Sequence, residues 1–468
     1  MQSQSSTPSR SIEPLLRVMM FTLMLSAMGA MMFNIVLPQI SEQFQLSLAE
    51  VSWMTSAYSL IYAVGTVTYG KLSDRFKLKN ILTFGILLFS VGSVIGLFSE
   101  TFWVALLARC LQSAGASAIP AVVMLIPIRY VAPERRGSAL GMAATGLALG
   151  GAVGPVVSSL LVSVVDWRWL FAVPLLLLAT LPFYRKYLVD EAEGKGQFDW
   201  LGGLLLGGMS ALLLLGFTRG SVIYILIALA AGILFVVRIR MAAEPFVRPE
   251  LFKNREYVIN LAIGSLVNAI GVSLYFLTPF LLSNVQALPP YWIGLAMVPA
   301  AIASAILGRK GGRLADRNGN GVLLVVASSL LMFGFLFLST FTTAPAWAIA
   351  AFLIFGNVGQ SFMMIGMSNA VSKTLPQQQM GVGMGLFAMI NFLTQGISSG
   401  LYGIAAGWQT SQLWNPLNGN ANSAAFSNIY LILALLHAAL IAFHFIRSAS
   451  SRKSARVSKP EMVSPANH

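Results

Sequence analysis

An arginine within an apolar stretch is the clearest candidate for a functional residue in this sequence. Arg109 lies in the apolar run that begins near Trp103, and Gln112 follows three residues later, on the same face of a helix. An arginine inside a membrane costs at least ~2.5 kcal/mol, so it usually faces the protein interior and is functional. We expect Arg109 to bind backbone carbonyls, Gln112 or a substrate. The alternative is that its side chain extends to the membrane surface.

Six carboxamide side chains also fall inside apolar stretches, and these are Asn34, Asn268, Asn357, Gln360, Asn391 and Gln395. They are candidates for lining a cavity that binds a small molecule. The alternative is that each forms a hydrogen bond that holds two helices together. The predicted substrate or coupling residues are Asn34, Arg109, Gln112, Asn391 and Gln395.

Acidic residues are absent from the middle of every predicted span, although the chain has sixteen of them. A buried carboxylate is the natural proton carrier, so a proton-coupled protein of this sequence would have to use Asp74 or another acid near a span end. His437 and His444 are an alternative, since histidine titrates near neutral pH. The single cysteine and three histidines show no metal-ligand spacing. Without a nucleophile–base pair or phosphate loop either, we expect no metal, no cofactor and no enzyme activity.

Two short charged segments share one pattern. Gly70, Asp74 and Arg75 correspond to Gly312, Asp316 and Arg317 in the second half of the chain, each set following an apolar run. The glycines are expected to permit a tight exit from a helix. The acids are expected to form ion pairs that break when a gate opens. The alternative is that these charges only anchor the topology.

A third pattern places small residues four apart, at Gly146, Gly150 and Gly154, and Pro155 follows directly. Such a stripe lets two helices approach closely. The proline removes one backbone hydrogen bond and favours a kink. The pattern predicts close packing, a hinge between two conformations, or both.

The elements that position these residues are long apolar helices. The chain is 56% apolar and 10% charged, and apolar runs of membrane-spanning length recur throughout. Fourteen spans are predicted, at about residues 15–37, 53–70, 80–98, 104–128, 137–162, 168–185, 200–217, 221–239, 257–282, 292–308, 322–340, 346–371, 382–406 and 426–446. The prediction is an all-α polytopic membrane protein, with two pseudo-symmetric six-helix bundles and an inserted helix pair.

The distribution of lysine and arginine orients these spans. Nearly all of the 30 basic residues fall in alternate loops and in the two tails, which places both termini in the cytoplasm. Since the basic residues lie singly in short loops, the net charge of +14 reflects topology, and we expect no nucleic-acid partner. The predicted segments are a cytoplasmic tail at 1–14, a bundle at 15–189, the inserted pair at 190–245, a second bundle at 246–447 and a basic tail at 448–468.

Several motifs together resemble the major facilitator superfamily. They are Gly-Lys-Leu-Ser-Asp-Arg at 70–75, the arginine motif at 107–115 and the glycine–proline motif at 146–155. Residues 34–40, 53–60 and 167–171 resemble the fourteen-span drug:proton antiporter branch, and within it the Gram-positive tetracycline exporters. The resemblance covers about residues 15–445. It implies a monomer in a bacterial cell membrane that exports small amphipathic drugs by proton antiport.

The sequence departs from those exporters at one kind of position. They carry membrane-embedded acids in the first, fifth and thirteenth spans, where this chain has Ala30, Gly151 and Gln395. Three explanations stay open: protons carried by an acid near a span end, a neutral, zwitterionic or anionic cargo, or weakly coupled transport. Two other functions also stay open, namely export of an endogenous lipid-like or anionic metabolite, and a membrane sensor or scaffold that transports nothing.

Overall fold

The computed structural model describes residues 13–73, 76–123, 125–126, 130–131, 136–188, 199–376, 380–408 and 410–457, and that part of the chain is helical, without strands. The described part of the N-terminal half contains six main helices, of which the sixth is short. α1 spans Glu13–Gln43, α2 Trp53–Leu72, α3 Leu78–Leu97, α4 Phe102–Ala116, α5 Arg136–Val162 and α6 Leu181–Tyr187. The short helix Leu48–Val51 precedes α2, and Ala118–Val123 continues α4.

The remaining helices continue this pattern. α7 spans Trp200–Arg219 and α8 Val222–Met241, and these two helices correspond to the pair that the sequence predicts as an insertion, called the inserted pair below. The C-terminal half comprises α9 at Arg255–Phe280, α10 at Pro290–Asn318, α11 at Asn320–Thr340, α12 at Ala346–Lys373, α13 at Met380–Ala406 and α14 at Ala424–Val457. Short turns, such as those at Gly220 (φ 60°) and Gly319 (φ 85°), separate consecutive helices, because glycine adopts positive φ without a steric penalty.

Twelve helical segments of the described chain are long and apolar enough to cross a membrane. The predicted spans at 53–70 and 382–406 are not among these twelve. They correspond to α2 and α13, which have 20 and 27 residues and so have sufficient length. Both helices carry glycine, serine and other polar residues that lower their hydropathy, and both lie against the opposite half of the protein, as described below.

The predicted spans at 168–185 and 292–308 match the candidate membrane spans Trp167–Tyr187 and Pro290–Gly308 of the described chain, but the helices that form them differ from one simple α-helix per span. The sixth is not one continuous α-helix: two 3₁₀ segments, Trp167–Phe171 and Val173–Thr180, precede α6. Prolines lie in the first turns of Val173–Thr180 and of α6, where a missing N–H is tolerated. The tenth predicted span lies within α10, which continues beyond it to Asn318 and so includes the whole second charged segment.

The prediction that Gly70 and Gly312 permit a tight exit from a helix is therefore wrong. Both glycines lie inside helices, and a Cβ atom built on either would meet no atom within 4 Å. The turn between α10 and α11 is made at Gly319 instead. Asp74 and Arg75 lie outside the described residues, as do the chain ends at 1–12 and 458–468 and the segment at 189–198.

A buried carboxylate holds the inserted pair together at one end. Asp199 caps α7 and accepts hydrogen bonds from the backbone N–H groups of Gly202 (3.0 Å) and Phe246 (3.1 Å) and from Arg238 Nε (2.9 Å). Burial tends to raise the pKa of Asp199, but these hydrogen bonds outweigh it, and the pKa lies below its usual value. Lys71 of α2 donates to the Pro245 carbonyl, so the same cluster reaches the N-terminal half.

This cluster predicts a specific loss of stability. Asp199→Ala should lower the melting temperature of the purified protein in detergent at pH 7, because losing a helix N-cap costs about 1 kcal/mol and Arg238 also loses its partner. Asp166→Ala is the matched control. Asp166 caps the Trp167–Phe171 segment and pairs with Arg168 at 3.0 Å, but its side chain is 48% exposed. Equal losses from the two variants would contradict the assignment.

The same variant predicts a pH dependence. The lowered pKa means that the carboxylate stabilises the fold above its unfolded-state pKa of about 3.9, and that this contribution is lost as the pH falls through the folded-state value. The melting temperatures of the wild type and Asp199→Ala should therefore converge as the pH is lowered below about 4. A difference that grows on acidification would show that the ionised carboxylate is not the stabilising species.

Candidate functional site

A cavity of about 330 Å³ lies between the two halves of the protein. Its walls come from α1, α2 and α5 on one side and from α9, α10, α12 and α13 on the other. The lining residues are Met31, Asn34, Thr55, Gly151, Pro155, Asn268, Gly271, Val272, Tyr275, Phe276, Met297, Ala301, Ser304, Ala305, Asn357, Gln360, Ser361, Met364, Gln395 and Ser399. The size falls at the lower end of the ~300–1,000 Å³ typical of small-molecule sites.

Five of the six predicted carboxamides line this cavity. They are Asn34, Asn268, Asn357, Gln360 and Gln395. The sixth, Asn391, lies outside the lining, and its carbonyl accepts a hydrogen bond from Asn268 Nδ2 at 2.7 Å. Asn391 therefore supports the cavity wall through Asn268.

Hydrogen bonds within the protein orient several of these amides. Asn34 Oδ1 accepts from Thr55 Oγ1 at 3.0 Å, which joins α1 to α2. Asn357 Nδ2 donates to the Leu353 carbonyl of its own helix at 3.0 Å. The cavity surface thus combines amides fixed by the protein with polar atoms that remain available to a ligand.

Arg109 does not line the cavity, and neither does Gln112. The Arg109 side chain is 1% exposed, enclosed within the N-terminal half. Its Nη1 donates to the Gly29 carbonyl (3.2 Å) and to Gln112 Oε1 (3.1 Å), and Gln112 Nε2 donates to Ser93 Oγ (2.8 Å). The predicted binding to a carbonyl and to Gln112 is confirmed, and the alternative of a side chain reaching the membrane surface is wrong.

Two aromatic rings complete the arginine site. The guanidinium carbon lies 4.2 Å from the ring centroid of Phe33 and 4.0 Å from that of Tyr58, within range of a cation–π interaction on each side. Arg109 contacts Gly29 and Phe33 on α1 and Tyr58 on α2, and Gln112 extends the network to Ser93 on α3, so the pair on α4 connects four helices. One buried cation thus fixes the relative positions of the helices behind the cavity wall.

The glycine stripe of α5 packs against the backbone of α1. A Cβ atom at Gly146 or Gly150 would come within 2.4 or 2.2 Å of the Met20 or Met24 carbonyl oxygen, and at Gly154 within 3.2 Å of the Met28 oxygen. The close packing predicted from this stripe is confirmed. Its role as a hinge stays a prediction.

Pro155 contributes directly to the cavity. It lacks the N–H group that would bond the carbonyl of Gly151 one turn earlier in α5, and both residues line the cavity. Gly151 and Gln395, where the resemblance to the tetracycline exporters led us to look for acids, both line the cavity. None of the lining residues in the described part of the chain carries a charge.

The remaining predicted residues lie away from the cavity. Arg317 is exposed at the end of α10, and the side chain of Asp316 lies outside the described part of the structure, as does that of His444. His437 is fully buried, and its ring stacks on Phe335 at a centroid distance of 6.0 Å. It is not among the residues that line the cavity.

Sequence reasoning missed the hydroxyl and aromatic parts of the site. Thr55, Ser304, Ser361 and Ser399 line the cavity without having been singled out, as does Tyr275. A hydroxyl in the middle of an apolar run is the available signal for these residues. That signal is weak, because such hydroxyls commonly bond the carbonyl one turn earlier, as Ser399 does to Gln395 at 2.9 Å.

The burial of Arg109 predicts that substitutions there lower the melting temperature more than a substitution at a partly exposed arginine. Arg109→Met should lower the melting temperature strongly, because a buried polar group left without its partner costs about 1–3 kcal/mol and both Gly29 and Gln112 lose theirs. Arg109→Lys should keep the charge but lose the flat contact with both rings, giving an intermediate loss. Arg168→Met is the control, since Arg168 also stacks on Trp167 (4.8 Å) but is partly exposed. A comparable loss in the control would contradict the special role of Arg109.

Comparison with known proteins agrees with this architecture. Residues 19–399 match the family model of the Major Facilitator Superfamily. The chain is 22% identical to "Riboflavin transporter RibZ" of Clostridioides difficile (strain 630), over 81% of this chain and 84% of that protein. It is 24% identical to "Efflux pump dotC" of Dothistroma septosporum (strain NZE10 / CBS 128990), over 84% and 71% of the two chains.

Solved structures show the same fold at lower sequence identity. A bacterial homologue of the human lysosomal transporter Spinster, in an inward-facing and unoccupied conformation, superposes with a TM-score of 0.66 at 14% identity, covering 99% of this chain and 100% of that one. A POT family transporter in complex with a thioalcohol-conjugated peptide gives a TM-score of 0.68 at 13% identity, covering 95% and 97%. With the family model matched over most of its length and helices from both halves lining one cavity, this chain belongs to the major facilitator superfamily.

Proposed function

We propose that this protein is a secondary transporter that exports small amphipathic molecules by alternating access. The main support for the proposal is the cavity between the two halves, whose walls contain polar amides as well as methionine and aromatic side chains. Substrate sites of transporters with two related halves lie near the membrane midplane between those halves. The proposal includes fourteen spans in two six-helix bundles, both termini in the cytoplasm, and a monomer in a bacterial plasma membrane.

Close packing between the two halves supports the proposal that one end of the cavity is closed. A Cβ atom at Gly294 of α10 would lie 1.9 Å from the Ser159 Cβ of α5. A Cβ at Gly396 of α13 would lie 2.9 Å from the Ser56 carbonyl oxygen of α2, and one at Gly403 would lie 2.6 Å from the Leu48 carbonyl oxygen. At this end, small residues bring the helices of opposite halves into direct contact.

At the opposite end of the cavity, glycines on the same three helices do not pack closely against the other half. Gly70 of α2, Gly312 of α10 and Gly385 of α13 lie toward it, and a Cβ atom on each would meet no atom within 4 Å. Under the proposed topology, the sealed end is extracellular and the looser end is cytoplasmic. This asymmetry supports an inward-facing conformation, which is the state that would accept a substrate for export.

Proton antiport is the coupling that we propose, with Asp74, which follows α2 in the sequence, as the carrier. The uncharged cavity lining argues against a proton site beside the substrate. Lys71 of α2 donates to the carbonyl of Pro245, so the end of α2 lies next to the segment that follows α8. A weakly coupled exporter is the alternative that this uncharged lining also permits.

A transport assay tests the proposal directly. Everted membrane vesicles with an imposed proton gradient, reported by a pH-sensitive dye, should lose that gradient when a transported compound is added to wild-type vesicles. Tetracycline, cationic dyes, neutral lipophiles and anionic amphiphiles are added in turn, and vesicles without the protein serve as the control. Asp74→Asn should abolish the response while labelled compound still binds. Movement of labelled compound without any loss of the gradient would refute proton coupling.

The sealed end gives a second prediction. Gly294→Ala should reduce transport by about tenfold or more, because its Cβ would overlap that of Ser159 and keep the helices from closing. Adding Ser159→Gly should restore transport, since it removes the opposing Cβ. Gly208→Ala of α7 is the control, because a Cβ there meets no atom within 4 Å. Failure of the double variant to recover would show that this contact is not the seal.

A further inference from the structure

We infer that the cavity takes uncharged molecules that carry both hydrogen-bond donors and acceptors on a flat aromatic frame. The inference rests on the proposed function and names its substrate class. Its first ground is the lining itself, in which the described residues include five carboxamides and four hydroxyls from serine and threonine but no charge. A charged molecule bound there would lose its hydration without gaining an opposite charge, which is a large penalty at low dielectric constant.

The C-terminal wall offers hydrogen-bond acceptors. Gln360 Oε1 on α12 and Ser304 Oγ on α10 are buried and have no hydrogen-bond partner in the described part of the protein. Gln360 is 7% exposed, and both residues line the cavity. A buried oxygen without a partner is unfavourable, so a ligand N–H or O–H group placed there would remove an existing penalty.

The N-terminal wall offers a donor. Asn34 Oδ1 is already occupied by Thr55, whereas Asn34 Nδ2 has only the weak acceptor Met31 Sδ at 4.0 Å. A ligand carbonyl would be a far better acceptor for this amide N–H group. A molecule with both an N–H and a carbonyl would therefore connect Asn34 on one half with Gln360 on the other.

Gly271 of α9 makes room for the acceptor. A Cβ atom at this position would lie 2.1 Å from both Cδ and Nε2 of Gln360, so the carboxamide occupies the space that a larger residue would fill. This close fit holds the Gln360 amide in place against α9. Gly271 is thus a positioning residue for the acceptor.

The rest of the lining suits a flat apolar frame. Tyr275 and Phe276 contribute aromatic surface, and Met31, Met297 and Met364 contribute flexible thioether side chains. Methionine adapts to ligand shape and makes favourable contacts with aromatic rings. Arg109, the nearest buried cation on α4, cannot serve an anionic ligand, because Phe33 and Tyr58 enclose it away from the cavity lining.

The test compares uncharged probes with charged ones. Riboflavin is an uncharged tricyclic imide with hydroxyl groups, and riboflavin 5′-phosphate is the same molecule with a negative charge. Chloramphenicol serves as a second uncharged amide and ethidium as a flat cation. Binding to the purified full-length protein is measured by equilibrium dialysis, and transport is measured in proteoliposomes.

We expect riboflavin or chloramphenicol to bind about tenfold or more tightly than riboflavin 5′-phosphate and ethidium. Gln360→Glu should reverse this order by favouring ethidium, because it places a carboxylate in the cavity. Gln412→Glu is the matched control, since it adds the same charge at an exposed position. Gly271→Ala should weaken binding of the uncharged probes by displacing the Gln360 amide, with little change in melting temperature.

The outcomes separate this inference from the proposed function. Transport of ethidium or the phosphate ester as efficient as that of the uncharged probes would overturn the inference and leave the transporter intact. Selective binding of an uncharged probe without transport would support the inference and overturn the transport function. If neither uncharged probe binds, or if Gln360→Glu behaves like Gln412→Glu, the cavity does not select in the way proposed here.

Discussion

Polar groups in the membrane-spanning part of this protein must find their partners within the protein, since lipid supplies none. Arg109 meets this requirement through one end of its guanidinium: Nη1 reaches a carbonyl of α1 and Gln112, two rings cover its faces, and Nε has no hydrogen-bond partner in the described part of the protein. Its enclosure leaves the uncharged amides as the polar surface of the cavity. The arginine therefore organises the N-terminal half, and Gln360, Asn34 and Ser304 are left as the groups that a ligand can meet.

Small residues set how closely the helices approach. In α5, one stripe of glycines fits the backbone of α1 within the N-terminal half, while Gly294 and Gly396 fit α5 and α2 across the two halves. The first kind of contact keeps a half rigid, and in the proposed mechanism the second closes one end of the cavity. Alternating access would require both, because rigid halves can rock about a site only if the contacts between them can separate.

The inserted pair is joined to the rest of the protein by polar contacts at one end. Asp199 binds Arg238 and the backbone of Phe246, and Lys71 of α2 binds the carbonyl of Pro245 next to it. Much of the surface of α8 remains exposed, as expected for a helix that faces lipid. The pair thus contacts the end of α2 in the N-terminal half and lies outside the cavity.

The sequence by itself determined the helical class, the position of most long helices and the family, because apolar runs and glycine motifs are local features of the chain. It also identified the amides of the cavity, because an amide within an apolar run either lines a cavity or joins two helices, but it did not identify the hydroxyl groups. Only the tertiary structure decided which of them face a ligand. Arg109 and Asn34 have similar sequence surroundings, yet one is enclosed between rings and the other lines the cavity, because that outcome depends on helices distant in sequence. The fit between Gly271 and Gln360 likewise depends on a contact between two helices that no local pattern encodes.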